Sequence, residues 1–189
     1  MSAQTSVSDA DEVLGLIEKA SEKDFLPIIG PLKGKFLADE VRKANPRRVL
    51  EVGTLIGYSA ILMGKEMDES AEIITIEIHR DEAELAAKNI TRAKVPPKIQ
   101  VINGNALQII PALIGPFDFA FIDAEKNEYS QYLKLAEDKL RKGAVVFADN
   151  AGIFADQMGD YLDYVRNSGK YQSRYIQVGG DGVEISVKL

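Results

Sequence analysis

The apolar positions of this chain change their period along its length. From residue 8 to about residue 44, Val13, Leu14 and Ile17, and then Phe36, Leu37 and Val41, recur at helical spacing and predict two helices. Between them FLPIIGP at 25–31 carries two prolines and a glycine and predicts a loop. Beyond residue 44, short β-branched and aromatic runs alternate with amphipathic stretches. Residues 48–53 (RVLEVG), 73–78 (IITIEI), 99–103 (IQVIN), 117–123 (FDFAFID) and 144–149 (AVVFAD) read as strands. Helices are predicted at about 59–67, after the acidic first-turn residues Asp81 and Glu82, at about 129–140 with a stop at Lys142-Gly143, and near 156–167. Two last strands, 171–178 and 183–189, flank GGDG at 179–182, which reads as a hairpin turn.

Repeated β-α units followed by a hairpin imply a doubly wound, Rossmann-like α/β fold. Its seven-stranded sheet would be mostly parallel, with one antiparallel C-terminal strand and helices on both faces. No repeat or Pro/Gly-rich linker interrupts the pattern, so residues 1–189 are expected to form one domain, with 1–44 a helical part of the cofactor and substrate cover. In such sheets ligands bind at the carboxyl ends of the strands, so chemical residues should follow strands directly.

Composition narrows the chemistry. Apolar residues make up 46% of the 189 and charged residues 28%, an ordinary globular balance. No apolar run approaches the roughly 20 residues of a membrane span, and the polar, acidic start lacks the marks of a signal peptide; a cytoplasmic protein is expected. The absence of cysteine excludes disulfides and thiolate chemistry, and a single histidine, His79, speaks against a zinc centre or a Ser-His-Asp triad. The net charge of −6 disfavours broad nucleic-acid binding. Carboxylates, lysine, asparagine, hydroxyls and the backbone are left to do the work.

The first strand runs into EVGTLIGYS at 51–59, where Gly53 allows a tight turn and Gly57 allows backbone to approach a ligand at a helix start. The second strand ends in Glu77, a carboxylate able to accept hydrogen bonds from both ribose hydroxyls of a nucleotide. The same glycines would also serve a plain turn and a close helix–strand contact. The loop lacks the middle glycine of the dinucleotide fingerprint and the Gly-Lys-Ser/Thr of a phosphate loop. A cofactor with an adenosine and no phosphate fits, which is S-adenosylmethionine. NGNA at 103–106 could edge the adenine or be only a polar turn.

The fourth strand ends in Asp123 and the fifth in Asp149-Asn150, which a parallel sheet would set side by side. Three hard oxygen ligands with no His or Cys nearby suit Mg²⁺ or another divalent cation. A helix cap at Asp123 and a turn cap at Asp149-Asn150 are the plainer alternatives. Lys126, three residues past Asp123, can swing back to take a proton from a cation-activated hydroxyl, where a surface lysine would not. Asp123 and Lys126 are the candidate catalytic residues.

These residues together resemble the cation-dependent O-methyltransferases, the group that includes catechol and caffeoyl-coenzyme A O-methyltransferases. The similarity runs from about Gly30 onward, some five-sixths of the chain. It rests on GPLKGK at 30–35, LEVGTLIGYSA at 50–60, ITIEI at 74–78, FIDAEK at 121–126 with Tyr129, ADN at 148–150, and Asp181-Gly182. The resemblance implies that Glu77 holds the ribose, that Ser59 and the Ile29 backbone hold the methionine carboxylate, and that Gly53 lies along the methionine. It implies that Asn105 and Ala106 border the adenine, with Glu51, Gly57, Ile78 and Asp123 completing the cofactor contacts. Asp123, Asp149 and Asn150 would bind Mg²⁺, Lys126 would act as general base, and catalysis would come from orientation and metal activation.

The chain departs from the family at three places. Asn105 stands where the adenine turn often carries Asp, and Ala124 follows the first metal aspartate, as in the plant and bacterial branch. The glutamate that catechol O-methyltransferase carries before its final Asp-Gly is matched by Val178, which argues against catechol itself. The short stretch ahead of the first helices leaves little for an elaborate substrate lid.

The expected activity is methyl transfer to a hydroxyl of a small, vicinal-diol aromatic molecule. The alternative is a tRNA hydroxyuridine O-methyltransferase, for which Lys33, Lys35, Arg42, Lys43, Arg47 and Arg48 would supply the basic surface. Clustering of these six beside the cofactor cleft would favour RNA; scatter would favour the small molecule. A cofactor-binding protein without catalysis leaves Asp123, Lys126, Asp149 and Asn150 unexplained, and a nicotinamide dehydrogenase lacks its fingerprint. His79 is expected at the surface or the cofactor rim, and Tyr129 and Tyr132 as helix packing. A homodimer through residues 25–31 or the final hairpin stays open.

Overall fold

The computed structural model describes residues 8–189. Residues 1–7, which contribute to the leaderless reading of the N-terminus, lie outside the described residues.

The chain runs α1 (Asp9–Asp24), α2 (Gly30–Ala44), β1 (Arg48–Val52), α3 (Tyr58–Gly64), β2 (Glu72–Glu77), α4 (Arg80–Ala93), β3 (Lys98–Asn103) and α5 (Ala106–Ile109). It continues through β4 (Phe117–Ile122), α6 (Tyr129–Ala136), β5 (Leu140–Ala148), α7 (Gly159–Asn167), β6 (Tyr171–Val178) and β7 (Asp181–Lys188). The sheet order is β3-β2-β1-β4-β5-β7-β6. β1 to β5 pair in parallel, while β7 runs antiparallel to both β5 and β6, so β7 alone is reversed, as the sequence predicts. None of the described helices is long and apolar enough to cross a membrane.

Strand residues alternate between two cores. Val49, Ile73, Phe119, Phe121, Phe147 and Ile185 face a layer that takes Val13, Leu14 and Ile17 of α1 and Leu37 and Val41 of α2. Leu50, Ile74, Ile76, Ala120, Ile122 and Val146 face the opposite layer, with Leu133 of α6 and Leu162 and Val165 of α7. Each such aliphatic side chain, fully removed from water, contributes about 1.5–3 kcal/mol before entropy is counted. α1 starts where Ser8 Oγ accepts a hydrogen bond from Asp11 N at 3.1 Å, with Asp9, Asp11 and Glu12 in its first turn. In α2, Gly30 and Pro31 belong to the helix rather than to the loop before it; Pro31 sits in the first turn, where no N–H is missed.

Several boundaries differ from the sequence reading. α6 stops at Ala136, and β5 has begun by Leu140, so Lys142-Gly143 lies inside a strand instead of ending a helix. Phe117 pairs with Leu140 while Phe119 pairs with Val145, a bulge that Gly143 permits at φ +81°. α7 begins at Gly159, because residues 151–158 form successive turns. β7 begins at Asp181, leaving only Gly179-Gly180 as the hairpin turn, and the four-residue α5 had no periodicity to announce it.

Candidate active site

The carboxyl ends of β1, β2, β4 and β5 open into one cavity of 780 Å³, toward the upper end of the usual range for ligand pockets. Pro27, Ile28 and Ile29, from the α1–α2 connection, form one wall, and Ile153 and Phe154, beyond β5, form another. A second, smaller cavity of 340 Å³ lies among α1, α2 and α3 and brings no comparable set of groups together.

At one end the loops after β1 and β2 are tied to each other. Glu77 is buried; its Oε2 accepts from Leu55 N at 2.7 Å and its Oε1 from His79 N at 2.9 Å. The carboxylate is thus fixed by backbone donors at the cavity wall. Asn103 Nδ2 donates to Glu77 O at 2.9 Å, and Asn105 Oδ1 caps α5 by accepting from Leu107 N at 2.8 Å. Gly53 has φ +96°, and a Cβ there would lie 2.0 Å from Asp123 O, so only glycine lets the β1 and β4 loops cross. Glu51 is completely buried behind this end, accepting a hydrogen bond from Ser59 Oγ. Burial pushes its carboxyl up to about 7, and the charges of Asp123 and Glu77 add to the rise, against the opposing hydroxyls of Ser59 and Thr75.

The other end is acidic. Asp149 is 1% exposed, and Asp123 is half-buried. Burial first, and then the charge of Asp123, raise the Asp149 carboxyl, with Lys33 opposing. Lys126 Nζ donates to Asp123 Oδ1 at 3.0 Å and to Ala124 O at 2.9 Å, and lies 5.3 Å from the Tyr129 ring centroid. Lys33 Nζ reaches across from α2 to donate to Asp149 Oδ2 at 2.8 Å and to Asp181 Oδ2 at 2.7 Å. Its ammonium is also 2.7 Å from Asp149 Oδ1, so it faces both oxygens of that carboxylate. Asp181 further accepts from Asn150 Nδ2 at 2.9 Å, Gly152 N at 3.2 Å and Ile153 N at 3.0 Å, and these donors hold its carboxyl well below the usual range despite partial burial. Asn150 adopts φ +61°, a left-handed conformation that Asn tolerates better than most residues and that recurs at functional positions.

Most of the residues singled out in the sequence meet here. Ile29, Gly53, Ser59, Glu77, Ile78, Asn105, Ala106, Asp123, Lys126, Asp149 and Asn150 all line the cavity. Glu51 lies behind it. Gly57 lies outside: at φ +90° it lets α3 begin against α4, where a Cβ would be 3.3 Å from Ala86 O. His79 is at the rim, as expected. Tyr129 is core packing, but Tyr132 also lines the cavity and its hydroxyl bonds Glu128. Among the described residues, one group of three His and carboxylate ligands could converge on a metal, Glu77, His79 and Glu82. Glu77 there already serves two backbone donors, which makes that group a poorer candidate than the Asp123, Asp149 and Asn150 set.

Sequence reasoning missed the role of Lys33, which it grouped with the basic stretch. That stretch is dispersed. Arg42 pairs with Asp39 and Glu66, Lys43 with Glu40 and Arg48 with Glu72, while Lys35 borders the smaller cavity. None of the six lines the main cavity. Val178 likewise stays outside it, paired with Asp181 at the hairpin; the Tyr175 hydroxyl is the β6 group beside Asp181 O, at 3.5 Å.

Comparison with known proteins agrees with this arrangement. The profile of the O-methyltransferase family matches residues 3–164. Catechol O-methyltransferase B of Danio rerio is 34% identical over 96% of this chain and 73% of its own length. The catechol O-methyltransferase of Mycobacterium tuberculosis is 37% identical over 80% of this chain and 72% of its own. Among solved structures, an O-methyltransferase from Bacillus cereus in complex with SAH superposes with a TM-score of 0.85 at 26% identity, covering 95% of this chain and 91% of that one.

Proposed function

This chain belongs to the O-methyltransferase family and is an S-adenosylmethionine-dependent enzyme, and from that premise we propose that it methylates a hydroxyl of a small, vicinal-diol aromatic molecule with the help of a divalent cation held by Asp123, Asp149 and Asn150. The observation that carries the cation reading is that Asp123, Asp149 and Asn150 line the cavity together, with Asp149 1% exposed and near enough to Asp123 to feel its charge. Two carboxylates gathered in a partly buried wall are costly unless positive charge meets them. Two carboxylates and an amide oxygen are a donor set for Mg²⁺ or Mn²⁺.

In this reading the cofactor takes the Glu77 end. Glu77 receives the ribose hydroxyls, Asn105 and Ala106 border the adenine, and Ser59 with the Ile29 backbone receives the methionine carboxylate. The cation, when bound, supplies positive charge that makes a neighbouring hydroxyl more acidic. Lys126 stands beside Asp123 as the side chain placed to accept that hydroxyl proton. The methyl group then passes from sulfonium sulfur to oxygen, leaving a thioether. The walls formed by residues 27–29 and 153–154 hold the acceptor in line, which is where most of the rate enhancement originates. A small acceptor is favoured over tRNA because none of the six basic residues that RNA would need lines the main cavity, and Arg42, Lys43 and Arg48 are paired with acids.

Calorimetry tests this directly. S-adenosylmethionine should bind wild-type protein with micromolar affinity, and Mg²⁺ should give a second signal that Asp149→Ala removes. Absence of cofactor binding would sink the whole reading. Cofactor binding without a metal response would remove the cation from it and leave the fold and cofactor site standing.

A further inference from the structure

The two candidate ligands at the end of β5 are each held by a charged side chain from another element. Asp149 is anchored to Lys33, whose ammonium lies 2.8 Å from Oδ2 and 2.7 Å from Oδ1. Asn150 is anchored through Nδ2, to Asp181, which turns its amide oxygen away from that carboxylate. Because a carboxylate only accepts hydrogen bonds, the orientation of the Asn150 amide is chemically fixed. Lys33 and Asp181 in turn hold each other at 2.7 Å, with side chains 14% and 13% exposed. Asp181 is itself pinned by the backbone N–H groups of Gly152 and Ile153.

Burying a lysine and an aspartate at the wall of a polar site yields little stability by itself, since desolvation offsets most of the attraction. The arrangement does achieve orientation. One ion pair, between the first turn of α2 and the first residue of β7, holds the Asp149 carboxylate through Lys33 and the Asn150 amide nitrogen through Asp181, which leaves the Asn150 oxygen free. We propose that Lys33 and Asp181 are positioning residues that preset Asp149 and Asn150 for a divalent cation, and that Lys33 raises cation affinity although it is itself a cation. The inference rests on the reading that Asp123, Asp149 and Asn150 bind such an ion.

The sign of the effect provides the test. If charge alone mattered, removing the Lys33 ammonium would tighten cation binding. If orientation dominates, removal loosens it, by the tenfold to hundredfold that follows loss of an outer-shell partner, on the order of values seen at other metal sites. Mn²⁺ binding to the full chain, followed by the loss of the free-ion electron paramagnetic resonance signal, reads affinity without turnover. Lys33→Met should weaken Mn²⁺ binding about tenfold or more, and Lys33→Arg, which can bridge two carboxylates, should restore most of it. Lys33→Gln is neutral like the Met variant but keeps a donor, so it should fall nearer wild type, and it carries the test if the Met variant does not fold. Unchanged S-adenosylmethionine affinity serves as the control for an intact cofactor end. Equal or tighter Mn²⁺ binding by Lys33→Met, or identical behaviour of the Met and Gln variants, overturns the inference. Wild-type protein that binds no Mn²⁺ overturns the cation reading beneath it, and the inference falls with that reading.

Discussion

Replacing Glu51 with glutamine isolates the energetics of a buried acid behind the cofactor end. In the folded protein its carboxyl is raised from 4.5 to about 7, chiefly by burial. At about 1.4 kcal/mol per pK unit, a rise of roughly 2.5 units corresponds to about 3 kcal/mol of differential stability. The sign follows from linkage. Between pH 4.5 and about 7 the folded chain holds this proton more tightly than the unfolded chain does, so wild-type stability falls as pH rises through that window. Above about 7 the full penalty of a buried anion is present. Glutamine keeps an oxygen to accept from Ser59 Oγ and carries no charge at any pH, so the Glu51→Gln protein lacks this slope. Urea denaturation of both proteins at pH 5 and pH 8 should show the variant gaining about 2–3 kcal/mol on wild type between the two pH values, whatever fixed offset the new amide introduces. A difference in stability that stays constant within about 0.5 kcal/mol across that range, the ordinary spread of a neutral substitution, would refute the assignment of a raised, buried Glu51.

Three other outcomes follow from the same geometry. Glu77→Gln should weaken S-adenosylmethionine binding by about tenfold or more in calorimetry, because hydrogen bonds to a charged partner are worth about 1.5–3 kcal/mol and because the amide has only one oxygen to accept from Leu55 N and His79 N, which now hold one carboxylate oxygen each. Lys126→Met should lower the methylation rate by roughly 10²–10⁴-fold, the usual contribution of a positioned base, with cofactor affinity unchanged. Gly53→Ala should lower the melting temperature sharply by calorimetric scan, since its Cβ would fall 2.0 Å from Asp123 O in a loop at φ +96°.

Strands β2 to β5 were legible in the sequence because each carries a β-branched or aromatic run cut off by a carboxylate or amide: Glu77, Asn103, Asp123, Asp149. Those abrupt polar ends also located most of the cavity, since a parallel sheet gathers strand ends at one edge. The start of β5 was hidden because Leu140-Arg-Lys-Gly143 has the composition of a helix exit, and only the pairing with Phe117 makes it strand. Gly57 carries the same local pattern whether it meets a ligand or a neighbouring helix, and its packing against Ala86 could not be read from that pattern. Lys33 gave no local signal at all. Its partners lie 116 and 148 residues away, and beside Lys35 it looks like an ordinary solvated lysine. The one hint was its place in the first turn of a helix opened by Gly30-Pro31, which limits where its side chain can go.

The contact between Lys33 and Asp181 also bears on the order of assembly. Every residue proposed to touch cofactor or cation has been synthesised once Asn150 has left the ribosome, and the parallel pairing of β1 to β5 uses no residue of the hairpin. Asp181 arrives with β7, which must insert between β5 and β6 in the opposite direction. A nascent or truncated chain lacking that strand would hold the ligands in sequence and leave Lys33 and Asn150 without their common partner. Closing so long a loop is slow compared with forming the neighbouring β-α units. Full metal affinity would then be among the last properties the growing chain acquires, so that partly folded molecules hold cations weakly until the final strand has docked.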